Sequence, residues 1–326
     1  MTDRHARQVI LPQVGSVGQA RLVAARVLVV GAGGLGVPVL QYLVGAGVGR
    51  ITLVDPDTVD VHNLHRQPLY RTSDIGRPKV EAAREALAAL DPAVQVVALR
   101  EWFDPANAPA LVADCDIALD CADNFAVSYT LSDACLAAGK PLVSASALAL
   151  QGYVGGFCGG APSLRAVLPE LPERAPSCDT AGVLGPVVGT LGAIQAQMAL
   201  SVLLGLEPSP LGRLVTLDVA DWRIGGFRFD SAPEPERPEP RFVAPSQITP
   251  DDIAIDLRGV EEAPRPATAH ALRIAPDDLR DWPLPPPDRR VVMCCRTGLR
   301  SWHAARALRE RWPGEIVVAA FGDRQA

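Results

Sequence analysis

Lysine is scarce in this 326-residue chain, which carries 31 lysines and arginines together but only two lysines, Lys79 and Lys140. A lysine ammonium is a compact point charge, whereas an arginine guanidinium is a planar fork, so the two groups suit different chemistry. In a chain that otherwise uses arginine throughout, each retained lysine is a candidate for a role that arginine cannot fill.

Cysteine pairs are also missing. None of the seven cysteines forms a C-x-x-C pair; they are Cys115, Cys121, Cys135, Cys158, Cys178, Cys294 and Cys295. We therefore expect no zinc site of the usual paired spacing. An odd number of cysteines also argues against a disulfide framework. Most of them are predicted to be small buried hydrophobes, but Cys178 and Cys295 lie in motifs considered below.

The sequence has no excess of positive charge and no long apolar run. With a net charge of -6, it gives no reason to expect a nucleic acid or an anionic membrane as a partner. No uninterrupted apolar run reaches the roughly 18 residues of a membrane span, and the first residues lack a signal peptide's apolar segment. We expect a cytoplasmic protein of two domains.

Short apolar strands alternate with helical segments in the first half of the chain. Strands are predicted at residues 26–30, 51–55, 94–99, 117–120 and 141–144, and helices at residues 37–47, 79–90 and 126–138. This alternation predicts an α/β fold with a doubly wound, mostly parallel, Rossmann-like sheet.

The second half predicts a buried apolar helix at residues 183–204 and antiparallel strands at residues 213–218 and 222–229. A Pro-rich charged stretch then marks residues 231–245 as a semi-rigid linker. It divides a first domain, residues 1–230, from a small C-terminal α/β domain, residues 246–326.

A glycine-rich turn follows the first strand. Gly31, Gly33 and Gly36 fit G-x-G-x-x-G between a strand and a helix, where backbone N–H groups can approach phosphate oxygens. Asp55 ends the next strand, where an acidic residue can accept hydrogen bonds from ribose hydroxyls. These residues indicate a nucleotide or dinucleotide site, and alone they fit an NAD-dependent oxidoreductase equally well.

Polar residues downstream favour ATP. They are Asn63, Arg66, Gln67, Lys79, Asp123 and Asn124. A carboxylate that attacks the α-phosphate of ATP needs cations to screen two approaching anions, and an acidic residue to hold Mg²⁺ on the phosphates. Hydride transfer needs no such set.

These motifs carry a resemblance. From about residue 3 to residue 229, the chain resembles the ThiF/MoeB/HesA branch of the ubiquitin-activating superfamily. Residues 4–11 resemble the family's N-terminal R-x-x-R-Q-I-x-L signature, with Val9 at its isoleucine position. The motifs G-x-G-G-L-G, D-x-D-x-V-x-x-x-N-L-x-R-Q, G-x-x-K and D-x-x-D-N follow in order. The first domain is therefore identified as an ATP-binding adenylating domain.

The resemblance implies roles for individual residues. Gly34 would lie on the nucleotide phosphates and Asp55 on the ribose. Phosphate contacts would come from Asn63, Arg66 and Lys79, and Asp123 would bind Mg²⁺ with Asn124 beside it. Arg7 would reach into the site of a second subunit, which implies a homodimer. The substrate would be a ubiquitin-like sulfur-carrier protein that ends in Gly-Gly.

Two further features concern the same family. Cys178 lies in a segment similar to one that carries a thiol able to attack the adenylated carrier; a buried structural cysteine is the alternative. Relatives also carry two C-x-x-C pairs that bind structural zinc. Here the first location, residues 162–166, and the second, near residues 225–240, have no cysteine.

The C-terminal domain holds a second motif. Residues 295–301 read Cys-Arg-Thr-Gly-Leu-Arg-Ser after a strand and before a helix, and backbone N–H groups and guanidinium groups there favour a thiolate. This loop resembles the rhodanese active-site loop, and residues 255–258 resemble an early strand of that fold. Cys295 would then take sulfur from a persulfide donor. Residues 262–270 lack a further signature, so a degenerate docking module is the alternative.

The activity implied by these resemblances is ATP-dependent adenylation of the carrier's carboxylate, followed by sulfur transfer that forms a thiocarboxylate. The alternatives from other classes are an NAD-dependent oxidoreductase and a non-catalytic scaffold that binds a ubiquitin-like partner. The sequence does not identify the pathway that the carrier serves.

Overall fold

The computed structural model describes residues 3–172, 182–236 and 240–322. An eight-stranded sheet with the order β3-β2-β1-β4-β5-β6-β7-β8 forms the body of the first domain. Its strands are β1 Arg26–Val30, β2 Arg50–Val54, β3 Gln95–Leu99, β4 Ile117–Asp120, β5 Pro141–Leu148, β6 Gln151–Cys158, β7 Arg213–Asp218 and β8 Arg223–Arg228. Strands β1 to β5 pair in parallel, and β6 to β8 extend the sheet antiparallel. The predicted Rossmann-like, mostly parallel sheet is confirmed.

Helices cover both faces of this sheet. They are α1 Ala6–Val9, α2 Gly15–Ala24, α3 Gly36–Gly45, α4 Lys79–Leu90, α5 Ala108–Ala113, α6 Phe125–Ala138, α7 Leu164–Val167 and α8 Gly185–Leu204. Strand β1 shows the division: Val27 and Val29 pack with α3, α4 and α8, whereas Leu28 and Val30 pack with α5 and α6. Alternate side chains of a strand point to opposite faces, so an apolar strand without alternation is buried on both.

Helix α8 is long and apolar enough to cross a membrane, with a mean hydropathy of 1.7. Half of that stretch is buried inside the protein, where Leu191, Ala196 and Ala199 join the core against α3 and the sheet. A core helix meets the same two criteria, so its length and composition are weak evidence for a span.

A second sheet forms the C-terminal domain. Its five strands are all parallel in the order β11-β10-β12-β13-β9. They are β9 Arg241–Phe242, β10 Ile253–Asp256, β11 Leu272–Arg273, β12 Val291–Cys295 and β13 Ile316–Ala320, and helix α9, Leu299–Arg309, follows β12. Strand β9 lies inside the stretch expected as a linker, so part of that stretch is built into the second sheet.

Strand β6 is absent from the strands that the sequence predicts. It contains Gly152, Gly155 and Gly156, and glycine has a low strand propensity. The structure supplies a reason for one of them, because a Cβ on Gly152 would lie 2.3 Å from the Leu191 side chain. The close approach of α8 to the sheet therefore requires glycine at position 152. Because glycine is rare in strands, the same residue kept the sequence from predicting β6.

Candidate nucleotide site and Cys295 loop

The glycine-rich turn passes very close to the neighbouring strand. Gly31 has φ +103°, and a Cβ there would lie 2.6 Å from the Cys121 carbonyl oxygen. Gly36 opens α3, and a Cβ there would lie 2.1 Å from the carbonyl oxygen of Gly31. Only glycine fits either position. The turn therefore sits at the carboxyl ends of β1 and β4 with the N-terminus of α3 above it, an arrangement that suits a bound phosphate.

Asp55 holds this turn from the next strand. Its Oδ2 accepts the N–H of Ala32 at 2.7 Å, and its Oδ1 accepts the N–H of Asp57 at 2.8 Å. Burial raises the pKa of the Asp55 carboxyl, while the positive charge of Lys79 lowers it. The buried Tyr70 hydroxyl adds a hydrogen bond of 2.8 Å to the Ala32 carbonyl oxygen. Sequence reasoning expected Asp55 to contact a ribose and missed both its contact with the turn and Tyr70.

The predicted cations lie along the same edge of the sheet. Lys79 is buried at the first turn of α4, and its Nζ pairs with Asp57 Oδ2 at 2.8 Å. Arg66 donates to Asn63 Oδ1 at 2.9 Å and to the His62 carbonyl oxygen at 3.1 Å. Asn63 therefore orients the guanidinium of Arg66. The structure adds Asp57 to the candidate residues; its signal in the sequence is the D-x-D pattern that begins at Asp55.

Gln67 is the residue that best indicates a ligand-binding site at this turn. Its side chain is 2% exposed, and its Oε1 has no hydrogen-bond partner among the described residues. Its Nε2 lies 3.7 Å from the position of a Cβ on Gly33, which places the amide beside the glycine turn. A buried acceptor without a partner is costly. A hydroxyl or amino group of a nucleotide bound at this turn would satisfy it, so the residues present fit such a ligand.

Asp123 and Asn124 follow β4 at this edge. Asn124 Oδ1 accepts the N–H of Ala126 at 2.8 Å and so caps α6, a structural role that the sequence reasoning did not assign. Asp123 is exposed, which leaves its carboxylate open to a ligand. Mg²⁺ is often held by one or two carboxylates together with substrate phosphates, so a single carboxylate beside a phosphate-binding turn fits that ion.

Arg7 lies elsewhere in its own chain. The neighbouring Gln8 donates to the Ala46 carbonyl oxygen at 3.0 Å, and Arg4 donates to that of Leu90 at 2.7 Å. Ala46 and Leu90 precede β2 and β3, so helix α1 lies at the amino edge of the parallel strands. The nucleotide residues lie at the carboxyl edge. The structure therefore does not bring Arg7 together with the other predicted residues, and Cys178 lies outside the described residues.

The Cys295 loop, residues 295–301, surrounds a buried thiol. The N–H groups of Gly298 and Ser301 donate to Cys295 Sγ at 3.1 Å and 3.4 Å, and the thiol donates to the Ser301 hydroxyl at 3.3 Å. The two N–H donors are of the kind that stabilises negative charge on sulfur. Arg300 reaches past the loop to Glu262 and to the Leu257 carbonyl oxygen.

Hydrogen bonds connect the two stretches where relatives would carry their zinc-binding cysteine pairs. Ser163 donates both its N–H and its hydroxyl to the Glu234 carboxylate at 2.6 Å each. We call this pair the Ser163–Glu234 clasp. It joins the two stretches that lack cysteine pairs, residues 162–166 and 225–240, and so it ties the start of the Pro-rich stretch to the first domain.

The clasp leads to a prediction. Replacing Glu234 with alanine leaves the buried Ser163 donors unpaired, so we expect the free energy of unfolding to fall by about 1–3 kcal/mol in urea titration. The exposed Glu236 is a matched control, for which the same substitution should change the value by less than about 0.5 kcal/mol. We also expect EDTA to leave the melting temperature of the wild type unchanged. A chelator-induced drop, with about one zinc per chain by elemental analysis, would contradict the prediction.

Comparison with known proteins places this geometry in a family. The ThiF family model matches residues 5–238. Bos taurus "Adenylyltransferase and sulfurtransferase MOCS3" is 48% identical over 218 residues, which cover 66% of this chain and 48% of the relative. Aspergillus fumigatus "Adenylyltransferase and sulfurtransferase uba4" is 48% identical over 219 residues, covering 64% and 44%. The chain thus spans about half the length of these relatives.

Solved structures agree on the fold. E. coli MccB, crystallised with AMPCPP and MccA, superposes with a TM-score of 0.63 at 22% identity, over 71% of this chain and 72% of MccB. MccB crystallised with ATP gives a TM-score of 0.62 at 21% identity, over 72% of each chain. At this identity the likeness establishes the fold alone. The family match covers residues 5–230 of the first domain, and the chain belongs to the ThiF family.

Proposed function

We propose that this protein uses ATP to adenylate the C-terminal carboxylate of a ubiquitin-like sulfur-carrier protein ending in Gly-Gly, and that it then transfers sulfur to that carboxyl group. The observation that carries the proposal is the meeting of the glycine turn, Lys79, Arg66 and Asp123 at the carboxyl edge of one sheet. The names of the relatives, which join adenylyltransferase to sulfurtransferase, support both stages.

In the first stage, a carrier carboxylate oxygen attacks the α-phosphorus of ATP. One P–O bond forms, the bond to the leaving pyrophosphate breaks, and no proton is transferred. Arg66 and Lys79 provide positive charge where negative charge builds up, and fixed charges of this kind need no reorganisation during the reaction. Lys79 is already held in place by Asp57. Mg²⁺, when bound at Asp123, neutralises charge on the phosphates.

In the second stage, Cys295 carries the sulfur. Its thiolate attacks the outer sulfur of a donor persulfide, which forms a persulfide on Cys295 and releases the donor thiolate. The Cys295 persulfide then displaces AMP from the acyl-adenylate, giving an acyl disulfide. A second thiolate, for which Cys178 is the candidate, attacks the Cys295 sulfur, releases the thiocarboxylate and leaves a disulfide that external thiols reduce.

A homodimer is part of the proposal. Helix α1 places Arg7 at the edge of the sheet opposite to the nucleotide residues of its own chain, so Arg7 could contact such residues only in a second copy. Ile10 and Leu11, directly after α1, are 71% and 51% exposed. Apolar exposure of this extent beside Arg7 suits burial against a partner subunit.

The proposal predicts exchange of radiolabelled pyrophosphate into ATP that depends on the carrier. Because adenylation is reversible, adding a carrier with a free C-terminal Gly-Gly should raise exchange at least tenfold, a change that corresponds to roughly 1.4 kcal/mol. The same carrier without its last glycine is the control and should give background exchange. Absence of exchange with every Gly-Gly carrier of the source genome would contradict the proposal, as would thermal stabilisation by NAD(P)H instead of ATP and Mg²⁺.

A further inference from the structure

The two domains share one hydrophobic core. Trp302 of α9 is fully buried, and its ring centroid lies 5.3 Å from that of Tyr129 in α6 and 6.1 Å from that of Phe242 in β9. The apolar cluster around these rings is continuous from β1 and α6 of the first domain to β12 and α9 of the C-terminal domain. The C-terminal domain is thus docked on α6 and α7.

Arg165 of α7 lies at the centre of this contact. Its guanidinium pairs with both carboxylate oxygens of Asp133, at 2.6 Å and 2.8 Å, and the Arg165 side chain is only 4% exposed. The guanidinium carbon also lies 4.8 Å from the Tyr129 ring centroid and 5.3 Å from that of Trp302. A charge held between two rings from different domains attracts both. Arg165 therefore links the C-terminal domain to the first.

The rim of the contact is polar. Arg306 of α9 pairs with Glu170 at 2.8 Å, and His303 Nε2 lies 3.0 Å from the Pro172 carbonyl oxygen. Both partners of the ion pair are substantially exposed, 46% for Arg306 and 68% for Glu170. Inside the contact, Trp302 Nε1 is buried without an acceptor among the described residues. That unpaired group lowers the free energy gained by docking and so favours a contact that can open.

The docked arrangement buries Cys295 and Gly298 of the Cys295 loop, while Arg296 and Thr297 of the same loop stay exposed. Cys295 has no exposed surface. A Cβ on Gly298, in the middle of the loop, would lie 2.8 Å from the Phe242 ring and 3.2 Å from Ala126 Cβ. Ala126 belongs to the first turn of α6, two residues after Asn124. The loop therefore contacts the first domain, next to the residues that the proposed function places at the nucleotide, and a cavity lined by Asn124, Ala126 and Phe242 lies beside this contact.

We propose that docking on α6 and α7 closes the Cys295 thiol, and that the C-terminal domain must leave this face before Cys295 can react with a sulfur donor. The thiolate must approach the donor's outer sulfur directly, which a fully covered sulfur cannot do. The closed state protects a loaded persulfide from stray thiols, and the open state receives sulfur. The meaning of this switch for sulfur transfer rests on the proposed function, whereas the closure itself does not.

The test is the rate at which iodoacetamide alkylates Cys295 in the full chain, followed by peptide mass spectrometry. In the wild type, the rate should be at least ~100-fold below that of the same peptide in urea, because reaction requires local opening. Arg165→Met should raise the rate about tenfold or more by removing the central contact. Glu170→Arg, a surface change safe for folding, should raise it about two- to fivefold, and Glu170→Arg with Arg306→Glu should restore it.

A core thiol provides the internal control. Cys121 is buried in the first domain and belongs to the apolar cluster on the face of its sheet that does not contact the C-terminal domain, so its protection in every variant shows that the variant is folded. Rapid alkylation of Cys295 in the folded wild type would overturn the proposal. Slow alkylation that neither Arg165→Met nor Glu170→Arg accelerates would also overturn it, because something other than docking would then cover the thiol. Alkylation needs no ATP, carrier or sulfur donor. The alkylation rates therefore test the closure of Cys295 even if the proposed function is wrong.

Discussion

Replacing Lys79 with alanine is expected to lower carrier-dependent pyrophosphate exchange by ~100-fold or more, and Asp123→Ala should have a similar effect. In the proposed function, both groups would act on charge that develops at the phosphates: Lys79 directly, and Asp123 by holding Mg²⁺ there. Lys79→Arg should fail as well, because a planar guanidinium cannot replace a compact ammonium in a buried position. Exchange assays at saturating ATP and carrier measure the loss.

Lys140 supplies a matched control, since it is the only other lysine in the chain and lies before β5, away from the glycine turn. Lys140→Ala should retain exchange within about twofold, and the exposed Asp277 serves the same purpose for Asp123. Thermal melting of each variant separates lost chemistry from lost folding. Near-wild-type exchange by a folded Lys79→Ala or Asp123→Ala variant would remove that residue from the mechanism.

Cys295→Ala should leave pyrophosphate exchange intact and abolish thiocarboxylate formation from a persulfide donor. The proposed function gives this thiol of the C-terminal domain no part in binding ATP, and two backbone N–H groups donate to its sulfur. Excess free sulfide should bypass the substitution, because sulfide can attack the acyl-adenylate without a carrier cysteine. Mass spectrometry of the carrier's C-terminus after reaction with each sulfur source measures the products.

The adjacent Cys294 is the control for this experiment. It is buried on the opposite face of β12, and burial raises the pKa of its thiol, so it should remain unreactive. Cys294→Ala should therefore form thiocarboxylate from both sources. If Cys295→Ala still used the persulfide donor at the wild-type rate, the C-terminal domain would be a docking module.

Much of the first domain was predictable because each of its signals is local. Apolar strands such as Arg26–Val30 are buried on both faces, and glycines mark the turn that they enter. The Asn63–Arg66 and Lys79 motifs were likewise visible as patterns, and the structure brings them to one sheet edge because parallel strands align their carboxyl ends. Their roles at a nucleotide remain predictions.

What the sequence did not reveal depends on contacts between distant residues. Strand β6 was not predicted because it contains several glycines, one of which, Gly152, makes room for α8. Tyr70, which holds the glycine turn, is 38 residues from its acceptor Ala32, and Ser163 is 71 residues from Glu234. In the sequence, Arg165 looks like an ordinary surface arginine, but in the structure its guanidinium lies between the rings of Tyr129 and Trp302. The Pro-rich composition of residues 231–245 suggested a semi-rigid linker, but composition cannot show that the clasp and β9 fix both of its ends.

The continuous core around Trp302 has a consequence for how this protein can be divided. A shortened chain that ended near residue 236 would present Tyr129, Arg165 and the neighbouring apolar side chains of α6 to water. Its Asp133–Arg165 pair would lose the Trp302 ring and keep only that of Tyr129, and the newly exposed apolar surface would favour aggregation. The sequence suggests two interchangeable modules, but in the docked arrangement the two share one apolar core. Swapping either module for that of a relative would require α6, α7 and α9 to be exchanged together.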